Sequence, residues 1–476
     1  MILKYLINTG NIFRMVKRTR TTLIPSAVKE KIDLLPLNKI QKGKAYKLIK
    51  LILKEATLRG NTTATYKALP QKYLRKVFND GRYDRWLSIL VNENIIEPKT
   101  SVNADGEVIE TYQQGITGKS YRICQNLLTN NWTSTVFEEK QDDTNGSELK
   151  IAGQTFKKSI VRNDLGQLFI HKEKMFAATE HYIASLNSST FKVNEQITAH
   201  YLPKVINHIT GFEGGSTITK ALHIAQELNA SLIQDDNVFY IDDLEKFIAW
   251  KKHNIRLVYG YVIETLTHKY FYANRNATNN RLDHNLTSVS SLLLDIIKVD
   301  NNLVEIDLAN SQFSILAHLM SKDSTLRQTE DFELFRNITA QGKLYGYIQE
   351  HLKIATRDDA KRMMMELSFS SPCFWSPKKK ALSTLFPNVV TYIERFKKDA
   401  VAQSGKGAHN EFAIKLQKME SEIFIDNIYF QLKNQGLWCV TRHDSLLVKC
   451  RDLEVVKRYL EAYFKSIEFV CSIRIK

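Results

Sequence analysis

Val304-Glu305-Ile306-Asp307-Leu308-Ala309-Asn310-Ser311-Gln312-Phe313-Ser314-Ile315-Leu316-Ala317-His318 reads as a strand, a turn and a helix with an acid at the first junction. Val304 to Ile306 is a short β-run, and Asp307 follows it directly. The polar turn Asn310-Ser311-Gln312 leads into an apolar run suited to a helix. A carboxylate at the end of a buried strand is costly unless something compensates it. At phosphoryl-transfer sites the usual compensation is a divalent cation. A lone Asp at such a junction is more often a cap. A second carboxylate in a similar setting, Asp444, points to the cation.

Asn434-Gln435-Gly436 breaks a helix, and Leu437 to Arg442 reads as a strand. His443-Asp444-Ser445 and a second β-run, Leu446 to Val448, follow, so a tight hairpin would carry Asp444 at its tip. Only a fold brings Asp307 and Asp444 together. United, they would bracket two Mg²⁺ ions about 3.5–4 Å apart, with Mn²⁺ as a substitute. A triphosphate also needs fixed positive charge. Thr356 to Phe369 predicts a helix with Thr356 as its cap and Pro372 beyond its end. Arg357 and Lys361 are four apart and share one face, with Met365 and Phe369 further along that stripe. The other reading of this segment is an amphipathic surface helix with its Met residues in the core. Apolar residues at 412, 416, 419, 423, 428 and 432 predict a further helix beneath the hairpin, with Gln417 beside its seam.

The 476-residue chain is long enough for two or three domains. It is 43% hydrophobic and 25% charged, as ordinary globular chains are. Its net charge of +16 suits a polyanionic partner, nucleic acid first. The 5 cysteines form no CxxC pair and suggest a reducing compartment without a zinc site. No apolar run reaches the ~18 residues needed to span a bilayer. The first 29 residues are basic, with no acid before Glu30. They are read as a basic arm or the product of an upstream start codon, with Met15 as an alternative start. A transit peptide is the weaker reading.

A helix is expected from about 37 to 58, another after Pro70, and a third from Arg82 to Val91. A β-run at Ile95-Ile96 follows, and then a hairpin through 108–123. Helix, turn, helix and hairpin is the order of a winged-helix module, in which a helix bearing Arg82 and Arg85 would approach DNA. A purely structural module is the alternative. Gln141 to Glu148 reads as a linker. Helices are expected at Lys172 to Leu186, Thr217 to Leu228 and Asp243 to Tyr272, in a scaffold without visible chemistry.

The blocks from about 280 onward resemble the palm and fingers of the family A polymerases and the single-subunit phage-type RNA polymerases. Asp307 to Leu319 looks like the first palm motif. Arg357, Lys361 and Phe369 match the Arg, Lys and Tyr spacing of the fingers helix. Leu385 to Glu394 looks like the Phe-Pro-x-Val segment after it. Gln417 stands where the family places a Gln helix, His443-Asp444 matches the last palm motif, and Arg281-Leu282 looks like an Arg-Leu element ahead of the palm. The resemblance implies an α+β right-hand polymerase, with palm, fingers and thumb-like helices, behind an N-terminal winged helix. The implied boundaries are 1–140 for the arm and winged helix, 150–280 for a thumb-like scaffold, and 281–476 for the palm. The fingers would be inserted at about 320–405.

The implied activity is template-directed addition of nucleoside triphosphates to a 3′-hydroxyl, without proofreading. Asp307 and Asp444 would hold metal. Arg357 and Lys361 would hold the triphosphate, with Lys361 also an acid toward pyrophosphate. Phe369 would lie near the base, Gln312 near the sugar, and Arg281, Gln417 and His443 near primer or template. Departures from the family bear on the sugar. Ser445 and Met365 match the RNA polymerases, Leu316-Ala317-His318 and Arg281-Leu282 the DNA polymerases, and Gln312 neither. Phe369 and Ser370 stand where Tyr and Gly are usual. A DNA polymerase of a phage or other mobile element, working in the host cytoplasm on a DNA template and primer, is the first expectation. RNA as template or product, a primase-like enzyme, and a replication initiator with an inactive palm are the alternatives. Mitochondria are the alternative location.

Overall fold

β-branched and aliphatic runs bounded by turn residues give short antiparallel strands, and amphipathic stretches give helices, so the fold class is α+β. The computed structural model describes residues 17–53, 66–71, 74–75, 83–102, 108–110, 119–140, 148–187, 232–235, 238–241, 244–372, 376–405 and 407–476. The chain divides into two compact units, 1–145 with 171–270, and 146–170 with 271–476. The stretch 150–280 is thus shared between them. The expected linker at 141–148, the Thr217–Leu228 helix and Arg82 lie wholly or mostly outside the described residues.

In the first unit, strand Lys17–Pro25 pairs antiparallel with Trp132–Lys140. Lys17, Arg18 and Arg20, read from the sequence as part of a basic arm, are therefore strand residues, and Lys29 lies in the helix Ser26–Leu34 that follows. Helix Lys39–Ile52 starts at Asn38, whose side chain accepts from the Gln41 backbone while Gln41 accepts from the Asn38 backbone. Strand Lys67–Ala68, helix Tyr83–Asn92, strand Ile96–Pro98, hairpin Thr100–Val102 with Val108–Glu110, and strand Ser120–Ile123 follow. The strand at 120–123 lies between those at 67–68 and 96–98. Ile49, Leu48, Tyr83, Leu87, Ile96 and Ile123 meet in one core with Leu257 of the helix Leu244–Thr267. Gly260 lets that helix come close, since a Cβ there would sit 1.9 Å from the Asn130 side chain.

In the second unit, four antiparallel strands run in the order Cys439–Arg442, Ser445–Lys449, Leu303–Leu308, Ile473–Ile475. Their apolar side chains are buried on both faces: Val304, Ile306, Leu446, Leu447 and Val448 are all in the core. Helix Ser291–Asp300 packs on the central strand Leu303–Leu308, and helix Ser311–Met320 leaves it. Five helices, Glu330–Ala340, Leu344–His351, Arg357–Phe369, Pro377–Leu385 and Pro387–Ser404, fill most of the stretch before the helix Glu411–Ser421. That last helix runs on through a π-helical segment, Glu422–Tyr429, into Phe430–Asn434. The π segment explains the one step of five in its apolar ladder, Ile423 to Ile428. Both residues are buried, and a wider turn keeps them on one face.

Candidate active site

The central strand and the hairpin bring the two acids together. Asp307 pairs in the ladder with Ser445, the residue next to Asp444. Arg442 pairs with Ser445, so the hairpin turn consists of His443 and Asp444. His443 takes a φ of 58°, a conformation that costs a residue with a Cβ about 1 kcal/mol or more. The turn is held in place from outside: His284 Nε2 lies 2.6 Å from the Thr441 carbonyl oxygen. Asn310 turns the chain into the helix with a φ of 54°, which Asn tolerates. Its side-chain amide is buried with no hydrogen-bond partner among the described residues. Gly342 is required here by a φ of 73° and by Ala309, whose Cβ would lie 2.9 Å from an added one.

Charge at the site is unevenly matched. Lys476 Nζ lies 2.5 Å from Asp307 Oδ2. Asp444 makes no ion pair with a described residue, and burial, with Asp307 beside it, raises its pKa. Two other acids are fully accounted for. Glu305, two residues before Asp307, accepts from Arg442 Nη1 at 2.9 Å and Ser445 Oγ at 2.7 Å. Glu420 is 1% exposed and accepts from Arg281 Nη2 at 2.7 Å and Nε at 2.9 Å. Burial pushes the Glu420 pKa up to about 7 against the opposing pull of Arg281. Burial, with Arg281 and Arg442 nearby, pushes His443 down to about 4, so its ring is neutral at pH 7.

The cationic helix Arg357–Phe369 begins at Thr356, whose hydroxyl accepts from the Asp359 backbone. Ala360, Met363, Met364, Leu367 and Ser368 are buried, which leaves Arg357 and Lys361 exposed and Met365 and Phe369 half-buried along the open stripe. The Arg357 guanidinium stands 5.1 Å from the Tyr345 ring centroid. Burial raises the Tyr345 phenol to about 12, Arg357 opposing and Asp444 adding to the effect. Tyr345 therefore lies between the start of the cationic helix and the acid pair. Gln417 accepts from Asn279 Nδ2 at 3.1 Å, and Arg281 donates its backbone N–H to Asn279 Oδ1 at 3.2 Å. Gln312 is part-exposed in the first turn of the helix after Asp307. Arg85 is exposed on its helix in the other unit.

The structure thus gathers Asp307, Asp444, His443 and Arg281, with Arg357 reached through Tyr345. It adds Glu420, Tyr345 and Lys476, which the sequence reading missed. Glu420 had one signal, an acid inside an apolar helical ladder three residues after Gln417; the other two had none. Among the described residues no group of three or more His, Cys, Asp or Glu is placed to hold a metal ion. No described helix is long and apolar enough to cross a membrane. No protein-family model matches the chain, and no curated protein matches it.

Proposed function

We propose that the second unit is a template-directed nucleotidyltransferase with a palm-like sheet, a fingers-like cationic helix and two magnesium ions. The observation that carries this reading is the pairing of Asp307 with the neighbour of Asp444, linked through Tyr345 to Arg357 at the start of a helix that also bears Lys361. The carboxylates fit a divalent ion: Asp444 has no ion pair among the described residues, and the Lys476 ammonium on Asp307 stands where positive charge is wanted. One or two protein carboxylates together with water hold such an ion, and substrate phosphates add further oxygens. Bound there, magnesium would activate a 3′-hydroxyl and neutralise charge on the leaving pyrophosphate.

The chain's own residues bind and orient. Arg357 and Lys361 grip the triphosphate, and Lys361 donates a proton to pyrophosphate as it leaves. Phe369 packs on the incoming base, and Gln312 faces its sugar. His443, neutral and with Nδ1 buried and unpartnered, offers a hydrogen bond to the primer end; Arg281 and Gln417 lie beside the same strand path. In the first unit, the helix, strand, helix and three-stranded sheet with its hairpin support a winged-helix reading, in which Arg85 contacts phosphate and is joined by Arg82.

Primer extension on DNA and RNA templates with deoxynucleotides and ribonucleotides tests the proposal. The expected result is magnesium-dependent extension by the parent, with deoxynucleotides preferred, lost in Asp307→Asn. Equal extension by Asp307→Asn overturns it. Salt-sensitive duplex binding without incorporation in Mg²⁺ or Mn²⁺ would favour the initiator reading.

A further inference from the structure

Asp444 poses an electrostatic problem. It is a half-buried carboxylate with another carboxylate beside it and no ion pair to a described residue. Such a group ordinarily captures the nearest cation. Arg281 is a cation within electrostatic reach of both Asp444 and His443. Arg281 is instead turned onto one oxygen of Glu420, by Nη2 at 2.7 Å and Nε at 2.9 Å. The second oxygen of Glu420 is met by Ser311 Oγ at 3.5 Å, four residues after Asp307. The loop carrying Arg281 is pinned to the same helix at two more points. Ser421 Oγ donates to the Asn279 carbonyl at 3.1 Å, and Asn279 Nδ2 donates to Gln417 at 3.1 Å.

We infer that Glu420 is a positioning residue that holds Arg281 away from Asp444 and so keeps Asp444 open for the divalent ion. The inference rests on the metal reading above. A buried ion pair adds little stability over an apolar pair of like volume, so stability alone gives no reason to bury Glu420. Without Glu420, the guanidinium is free to close on Asp444 and compete with the metal. Lys476 does the same at Asp307, but from a side chain 52% exposed and easily displaced.

The test is Mn²⁺ binding to the full chain, followed by the loss of the free-ion signal in electron paramagnetic resonance. The parent binds Mn²⁺, and Asp307→Asn does not. Glu420→Gln weakens binding about tenfold. The double variant Glu420→Gln with Arg281→Gln recovers to within about threefold of the parent, because the competitor has gone with its holder. Arg281→Gln alone binds at least as tightly as the parent, which keeps the test available if Glu420→Gln does not fold. Parent-like binding by Glu420→Gln, a double variant as weak as the single, or weakened binding by Arg281→Gln each overturns the inference. A parent that binds no Mn²⁺ overturns the metal reading, and this inference with it.

Discussion

Two charged clusters in the second unit are built to opposite ends. Near the far end of the cationic helix, Lys379 and Lys397 are 0% exposed, and both reach Glu394 Oε1, at 3.0 and 2.6 Å. Lys397 also donates to the Leu367 and Ser370 carbonyls at 2.7 and 3.0 Å, and Lys379 to the Ser371 carbonyl at 2.9 Å. These carbonyls lie at the end of the Arg357–Phe369 helix, where cations complement its dipole. Burial pushes Lys397 down to about 8, with Glu394 opposing, and every Lys397 proton has an acceptor. At Asp307 and Asp444 two like charges also sit side by side, but only Asp307 has an ion pair with a described residue. Both lysines are paired and fix the end of the helix, whereas Asp444 is left short of the charge that a ligand would supply.

The comparison breaks most visibly if its halves exchange roles. Asp307→Asn is expected to lower the single-turnover rate of incorporation by about a thousandfold or more while leaving the urea midpoint near that of the parent. Glu394→Ala should do the opposite. It strands two buried ammonium groups and is expected to cost about 3–5 kcal/mol in urea denaturation, with activity per folded molecule retained. Arg357→Ala, on the exposed stripe, should raise KM for the nucleotide about 10–100-fold, with kcat little changed and stability within about 0.5 kcal/mol.

The smallest effect is one of pH. The folded-state pKa of Asp444 is raised above its ordinary 3.8, so its contribution to stability is present below 3.8 and lost as pH rises through the folded value. Asp444→Asn has no such proton to lose. Without divalent ions, its Tm should match the parent's near pH 3 and exceed it at pH 8. A parent that is equally stable or more so at pH 8 would mean that the pair is not under-neutralised.

What was legible in the sequence was local. Alternation and apolar runs mark the Leu303–Leu308 strand, the Gly436 break marks the start of the hairpin, and Thr356 marks the start of the cationic helix. Each signal acts within a few residues. The Phe412–Leu432 ladder was legible too, although its step of five at Ile428 signalled a π segment that a simple helical count absorbs. The two lysines were not legible, because Lys379 sits in a Lys-rich run that ordinarily faces water. Glu420, Tyr345 and Lys476 join the acids through contacts between distant parts of the chain, and no spacing rule reports those. Arg281 was singled out in the sequence as part of an Arg-Leu element expected near primer or template. Its captivity by Glu420 was not legible.

The central claim is that Asp307 and Asp444 share a divalent ion beneath Arg357. Crystals soaked in Mn²⁺ with a non-hydrolysable nucleoside triphosphate test it most directly through the anomalous signal of the metal. The account predicts a peak within coordination distance of both carboxylates, with Lys476 displaced and Arg357 on the phosphates. A peak bound elsewhere, or none at the pair while the nucleotide is seated, would contradict it.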